Sequence, residues 1–599
     1  MALRHWFWVV FALLSCLCPT ASAQPSTSAI SPARTTVPEA VAANGPLLES
    51  ERIQLTDAIV DRIKNDSVAS SIADLVAFEH NGTTVKRNFT NCKTFPGDVL
   101  WPSQSEWDIF NALLDDGLIL TVPVTSPCYD SKWGPKDVAK CNHVVSDFTK
   151  YAIHYLGKST GAGSVAIWTH NIKDIIFLPE YEFEGYSGKA FKVGAGVTLT
   201  EIYHAASAHG VTVLGGICPS VGYTGGYLQG GGHTPLSGLH GMGSDAVLAY
   251  QVVTADGRYV TASKTFHPDL FWALRGGGPG TYGIVTSAIV KVYPETDVTL
   301  STYVLGNSTD GTQLVSRSDF FKALRVLWES FPTWTDANTY SFFFVFNTNG
   351  QLTLDMRNFF AVGHTPESYT ALTKRFFDAV KEYGLPFQKP LNNTYYPTFL
   401  PAYMDAWGKN NFPLGLATSF PGNRLIPKSM WNNSDNLEVL WKTVVTHVEA
   451  GRHFGIYHQA PGNPQNVDNA VSSAWRNAQS FFITKSTNFA ENASAEVMAE
   501  ANREVNKDIL QPWRDITPAS EGGGSYLNEA NVDEPNWKED LYGDKYARLV
   551  EIKRKYDPWS VFYATTAIGS DEWEIRGAPI KGVTTQNGRL CRIGGHERI

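Results

Sequence analysis

The run Gly215-Gly216-Ile217-Cys218-Pro219-Ser220-Val221-Gly222, continued through Gly225-Gly226-Tyr227-Leu228-Gln229-Gly230-Gly231-Gly232-His233, decides how the rest of the chain is read. Glycines this dense give up chain entropy so that backbone can reach φ > 0 or approach another group closely. Cys218 stands among them with no cysteine nearby. Two readings follow. The loop cradles a bound group with which Cys218 reacts, or it is a glycine-rich turn around a buried or disulfide-bonded cysteine.

Upstream, His154-Tyr155-Leu156-Gly157-Lys158-Ser159-Thr160-Gly161-Ala162-Gly163-Ser164 is a second glycine- and hydroxyl-rich loop, ahead of a strand expected over Val165–Thr169. Successive N–H groups at Gly157, Ser159, Thr160 and Gly161 suit a diphosphate, with the hydroxyls as added donors; a plain surface loop is the other reading. A helix is expected over Thr200–His209, then a strand, Asp256-Gly257 turn and strand from Gln251 to Val260. Asp269–Arg275 reads as a short helix running into a loop in which Gly278, Gly280 and Gly283 match G-x-G-x-x-G. A dinucleotide fold needs a strand before that loop and a helix after it. Here the order is reversed, with a strand over Ile284–Val292, which excludes the dinucleotide reading and leaves a cofactor-lining loop.

From Thr299 to Pro512 the texture changes. Tyr340 to Met356 is a hairpin signal, and helical spacing recurs over Ser368–Tyr383 and Asn436–Glu449, which predicts a sheet with helices on one face. The chain closes with Tyr526-Leu527-Asn528-Glu529 and a basic helix over Tyr546–Tyr556 stopped by Asp557-Pro558.

At 599 residues the chain is long for one domain, so two are expected. A net charge of −9 argues against nucleic acid or an anionic membrane as partner. Met1–Ala23 reads as a secretory signal, with an apolar run too short to span a bilayer and a small-residue cleavage site at Ala21-Ser22-Ala23. Entry to the secretory pathway gives meaning to the glycosylation sequons at Asn65, Asn81, Asn88, Asn307, Asn392, Asn432 and Asn492. Cys92, Cys128 and Cys141 are the expected disulfide formers, Cys591 is expected in a mobile tail, and Cys218 is left for other chemistry.

Taken together, the Cys218 loop, Asp269-Leu270-Phe271-Trp272-Ala273-Leu274-Arg275-Gly276-Gly277-Gly278, Tyr526-Leu527-Asn528 and Tyr546 to Tyr563 resemble the berberine-bridge-enzyme-like branch of the vanillyl-alcohol-oxidase flavoproteins, in its secreted fungal form. The resemblance implies an α+β protein: a two-part FAD-binding domain of the PCMH type, interrupted by an α+β substrate domain with an antiparallel sheet. The segments are a signal peptide (1–23), flexible leader and N-terminal helix (24–95), FAD domain (96–298), substrate domain (299–515), return to the FAD domain (516–575) and tail (576–599). It also implies covalent FAD, with Cys218 on ring carbon C6 and His154 on the 8α-methyl, and Gly157, Ser159, Thr160, Gly161, Gly222, Gly226, Gly283 and Asn528 around the cofactor. A small organic substrate, an alkaloid such as an ergoline precursor, a polyketide or a sugar, would give a hydride to the flavin, with dioxygen as reoxidant. Val221 would gate oxygen, and Tyr526 would be the base or its partner.

One departure matters. The family reads Gly-His-Asp before aromatic-x-Gly-Arg-Ser, whereas this chain reads Tyr151-Ala152-Ile153-His154-Tyr155-Leu156-Gly157-Lys158-Ser159, and a segment near 141–151 is missing. That departure sustains an alternative, a catalytically silent or misfolded descendant kept as a secreted binding glycoprotein.

Overall fold

The computed structural model describes residues 12–13, 45–52, 54–78, 91–120, 122, 126–128, 130, 134–146, 161–307, 314–408, 418–490, 493–577 and 581–595. The readings placed on His154, Gly157, Ser159, Thr160, Asn81, Asn88 and Asn492 lie outside them.

Packing begins within the segment expected to hold the flexible leader and N-terminal helix. Leu48 and Glu51 are each 1% exposed, and the Glu51 carboxylate accepts hydrogen bonds from the Leu48 N–H, the Lys192 ammonium and the Ser287 hydroxyl. A buried charge held this way pins the segment into the neighbouring sheet. Apolar spacing from Ile53 to Phe78 predicts one helix, but helix α1 (Asp57–Asn65) stops short of that span. The Asp66 carboxylate accepts from the N–H groups of Val68 and Ala69, both at 2.8 Å, a local turn that competes with helix propagation. Helix α2 (Gln104–Leu113) starts on a Ser103/Glu106 capping box, and α3 is Val138–Ser146.

The expected strand over Val165–Thr169 is absent. This run meets no described strand, and the chain turns at Thr169–Asn171 so that the Ile172 carbonyl accepts from Gly196 N–H at 2.9 Å. The first sheet consists of β1 (Ile175–Phe183), β2 (Tyr186–Gly194), β3 (Val247–Thr254), β4 (Tyr259–Ala262) and β5 (Gly283–Lys291), in the order β1-β2-β5-β3-β4, with every pair antiparallel. Helix α4 (Leu199–Ala208) lies between β2 and the Cys218 loop, and α5 (Pro268–Leu274) precedes β5.

The second sheet has seven antiparallel strands: β6 (Val298–Gly306), β7 (Thr339–Thr348), β8 (Gln351–Val362), β9 (Phe387–Tyr396), β10 (Pro421–Pro427), β11 (Gly455–His458) and β12 (Ala478–Lys485). Their order is β9-β6-β8-β7-β11-β12-β10. Its two faces do different work. Phe343, Val345, Phe359, Ile456 and Phe482 pack against a layer containing α6 (Arg317–Glu329), α7 (Pro366–Glu382) and α8 (Ser434–Glu449). Tyr340, Phe342, Phe360, Tyr457 and Phe481 join the core of the first sheet, so both parts of the chain share one hydrophobic interior.

The C-terminal return is locked to the second sheet by buried charge. Arg424, 1% exposed, donates to Asp540 at 2.7 Å and to Thr517 at 3.1 Å, and Arg514 donates to Glu534 at 2.7 Å. Helix α9 (Tyr546–Tyr556) matches its expected span. Cys591 is not in a mobile tail: it is fully buried, bonded to Cys92, and lies in a hairpin of β13 (Trp573–Arg576) and β14 (Arg589–Arg592). Cys128 pairs with Cys141. Among the sequons, Asn65, Asn392 and Asn432 are exposed. Asn307 is a correction: it is 2% exposed, and its amide oxygen accepts from the N–H groups of Leu314 and Val315, so no glycan fits there. Among the described residues no helix is long and apolar enough to cross a membrane, and no cluster of metal-ligating side chains occurs.

Candidate active site

The first turn of α4 holds the Cys218 loop in place. Its N–H groups have no partners within the helix, so Leu199 donates to the Val221 carbonyl at 3.0 Å and Thr200 to that of Pro219 at 3.2 Å. The buried Tyr203 hydroxyl donates to the Gly215 carbonyl, and Tyr223 N–H to that of Val197. Beyond Cys218 the chain passes through a widened turn at Tyr223–Tyr227, where Gly225 takes ψ −125°.

The loop after α5 supports this one from behind. Gly276 and Gly278 both donate to the Gln229 carbonyl at 3.0 Å. Gly276 has φ +119°, and a Cβ there would overlap the Val471 nitrogen. Gly283, expected at the cofactor, instead opens β5 with its bare side filled by Val252 and Val253, so its role is strand packing. Gly161 lies against the C-terminal segment, where Ala162 N–H donates to Gln586 O. Gly222 and Gly225 differ: nothing lies within 4 Å of where a Cβ would sit, and at Gly226 the nearest atom is Pro279 Cγ at 3.8 Å. The Cys218 loop therefore presents a bare backbone face to open space.

Cys218 is half-buried and is the free cysteine among the described residues. Burial, with the Glu529 charge adding to it, pushes its thiol up to about 12. Tyr340, Tyr403, Tyr526 and Glu529 lie near enough for charge on Cys218 or Glu529 to act across the group. Asn423 on β10 fixes Tyr526 from both sides, accepting from its N–H at 2.7 Å and donating to its carbonyl at 3.1 Å. The Asn528 amide donates to the Tyr526 phenol oxygen and to the Gly226 carbonyl, both at 2.8 Å, and so ties the C-terminal return to the Cys218 loop. Burial raises the Tyr526 phenol well above its ordinary value, so it keeps its proton. Val221 packs half-buried beside the loop, against the shared core.

Sequence reasoning did not join His233 to Glu529 and Gln459. His233 lies 3.8 Å from the Glu529 carboxylate and accepts from Gln459 at 3.4 Å through Nδ1. Its ring is walled by Trp475, Tyr457, Phe481 and Tyr526. Glu529 adjoins the quoted Tyr526-Leu527-Asn528 motif, but Gln459 lies at the far end of a sheet strand, and no local signal links it to the loop.

The same region holds buried polar atoms without partners: the Tyr340 hydroxyl, Gln459 Oε1, Asn528 Oδ1 and Thr224 Oγ1. Unsatisfied buried groups are costly and rare in native proteins. A flat, polar, nitrogen- and oxygen-rich ring against the bare glycine face would satisfy them, and the residues present fit a flavin. Fold and site thus define a flavoprotein of the oxidoreductase type.

The comparisons agree. Residues 525–569 match the berberine and berberine-like family model, and residues 152–263 match the FAD-binding domain model. The FAD-linked oxidoreductase patO of Aspergillus clavatus is 33% identical over 580 residues, spanning 85% of this chain and 95% of patO. The VAO-type flavoprotein oxidase VAO615 of Thermothelomyces thermophilus is 31% identical, spanning 85% of this chain and 97% of that protein. The crystal structure of the VAO-type flavoprotein MtVAO615 from Myceliophthora thermophila superimposes with a TM-score of 0.74 at 29% identity, over 84% of this chain and 100% of the other. The chain belongs to the FAD-linked oxidoreductases of the vanillyl-alcohol-oxidase and berberine-bridge-enzyme family.

Proposed function

We propose that the protein is an oxidase of fungal secondary metabolism, acting in or beyond the secretory pathway on a small organic molecule, with dioxygen as final electron acceptor. Bound FAD would supply the two-electron acceptor. Cys218 is the tether to the ring and His154 the second attachment point. The bare face of Gly222, Gly225 and Gly226 lets the ring lie against backbone, and Asn528 holds that face in register with Tyr526. Tyr526, protonated and fixed by Asn423, offers its hydroxyl to the substrate. Tyr340, Phe342 and Tyr457 form an apolar wall that orients the substrate and keeps water out. The two disulfides and the exposed sequons suit an oxidising, glycosylating compartment. The oxidase reading draws on VAO615, which is named an oxidase, and on Val221 beside the tether.

The observation that carries the proposal is a lone thiol on a bare glycine loop, with a carboxylate and phenols near it. Purified protein is expected to be yellow, to keep its flavin on the chain after acid precipitation, and to consume oxygen with substrate. Folded but colourless protein would reject the reading.

A further inference from the structure

We propose that the Glu529 carboxylate is the catalytic group that takes the proton released from the substrate, with His233 as its positioning residue. This rests on the flavoprotein reading above. A proton acceptor in this site needs a free lone pair facing the substrate and a route by which its proton reaches water. Tyr526 is poorly suited: its oxygen already accepts from Asn528, it is 3% exposed, and burial holds its proton on. His233 is engaged on both sides: its Nδ1 lies 3.4 Å from the Gln459 amide and its Nε2 3.8 Å from Glu529, and four aromatic rings enclose it. Cys218 is committed to the tether.

Glu529 meets both requirements. Its side chain is 23% exposed, and the recorded partner of its carboxylate is the His233 ring at 3.8 Å. Its neighbour Asn528 is hydrogen-bonded to Tyr526 and to Gly226 of the Cys218 loop, which places Glu529 beside that space, and its charge reaches Cys218, Tyr340 and Tyr526. The unpartnered Tyr340 hydroxyl, Gln459 Oε1 and Asn528 Oδ1 mark that space as one shaped for a polar ligand. For an alcohol, the C–H bond breaks with its electron pair leaving to the flavin, the O–H proton passes to a Glu529 oxygen, and the C–O bond becomes a carbonyl. The resulting carboxylic acid returns its proton to solvent through its exposed edge. His233 holds the carboxylate in place through its Nε2, 3.8 Å away.

The test uses the flavin-loaded enzyme and its Glu529→Gln, Glu529→Asp, His233→Gln and Tyr526→Phe variants, with two readouts. The first is the visible flavin spectrum titrated across the acid-to-neutral range without substrate. A spectral step is expected in wild type and Tyr526→Phe and absent in Glu529→Gln. The second is anaerobic bleaching by a panel of benzylic and allylic primary alcohols. Wild-type rates should fall on the acid side. Glu529→Gln should be slower by roughly a hundredfold or more, with a flat pH profile. Glu529→Asp should recover part of the rate, His233→Gln should move the acid limb without removing it, and Tyr526→Phe should keep it. Bleaching of Glu529→Gln at the wild-type rate, a step that survives in it, or no step in wild type would each overturn the proposal. If no alcohol bleaches wild type, the substrate reading fails separately, and the spectral step still decides the role of Glu529.

Discussion

Cys218 shows how one residue can be placed for a reaction it does not perform alone. Burial keeps its sulfur a thiol, and among the described residues no cation acts on it to favour the thiolate. The attachment proposed for it would therefore depend on the partner that binds there. In flavin-free protein, alkylation of Cys218 by iodoacetamide is expected to be slow at neutral pH and to climb about tenfold per pH unit toward the thiol value of about 12. Peptide mass spectrometry reads this directly, and fast neutral labelling would contradict it. Cys218→Ser should leave the fold intact and release flavin in denaturant, unless a second covalent attachment holds it.

At the scale of elements, the site depends on loops that bear on one another. Gly276 stands behind the Cys218 loop and holds the Gln229 carbonyl in a conformation with positive φ that leaves no room for a side chain. Gly276→Ala is expected to cost on the order of 2–4 kcal/mol and to lower flavin loading, read by thermal melting and absorbance. The second sheet carries a pH liability. His458 sits between the Thr339 and Ser341 hydroxyls, and His447 accepts from the Trp513 indole, with burial lowering each ring from 6.5 to about 3. Because the folded values are depressed, the unfolded chain binds these protons first as pH falls. The stability they contribute is whole above about 6.5 and drains by about 1.4 kcal/mol per pH unit for each ring down to about 3. Urea denaturation across this range should show the loss, and a His458→Asn, His447→Asn double variant should flatten it.

For the whole molecule, long-range closure matters most. Cys92 and Cys591 are 499 residues apart, and their bond clasps the N-terminal region to the last hairpin. The Cys92→Ala, Cys591→Ala variant is expected to lose about 2–5 kcal/mol and to become protease-sensitive in β13–β14, while keeping its flavin, because the Cys218 loop is held by α4, Gln229 and Asn528 instead.

Periodicity and turn chemistry determined much of the fold. The β7–β8 hairpin, α7, α8 and α9 were legible because period-2 or period-3.6 apolar spacing and caps act within a few residues. So was the Cys218 loop, whose glycines announce close approach wherever they end up. Local signals could not say that Asp66 would break the first helix, that Val165–Thr169 would form no strand, or that Cys591 would be buried. The partnership of Glu529, His233 and Gln459 was equally hidden, since it joins a C-terminal turn, a glycine loop and a sheet strand that meet only when the two sheets share one interior. Side-chain spacing encodes elements; which of them face each other is set by burial of the whole chain.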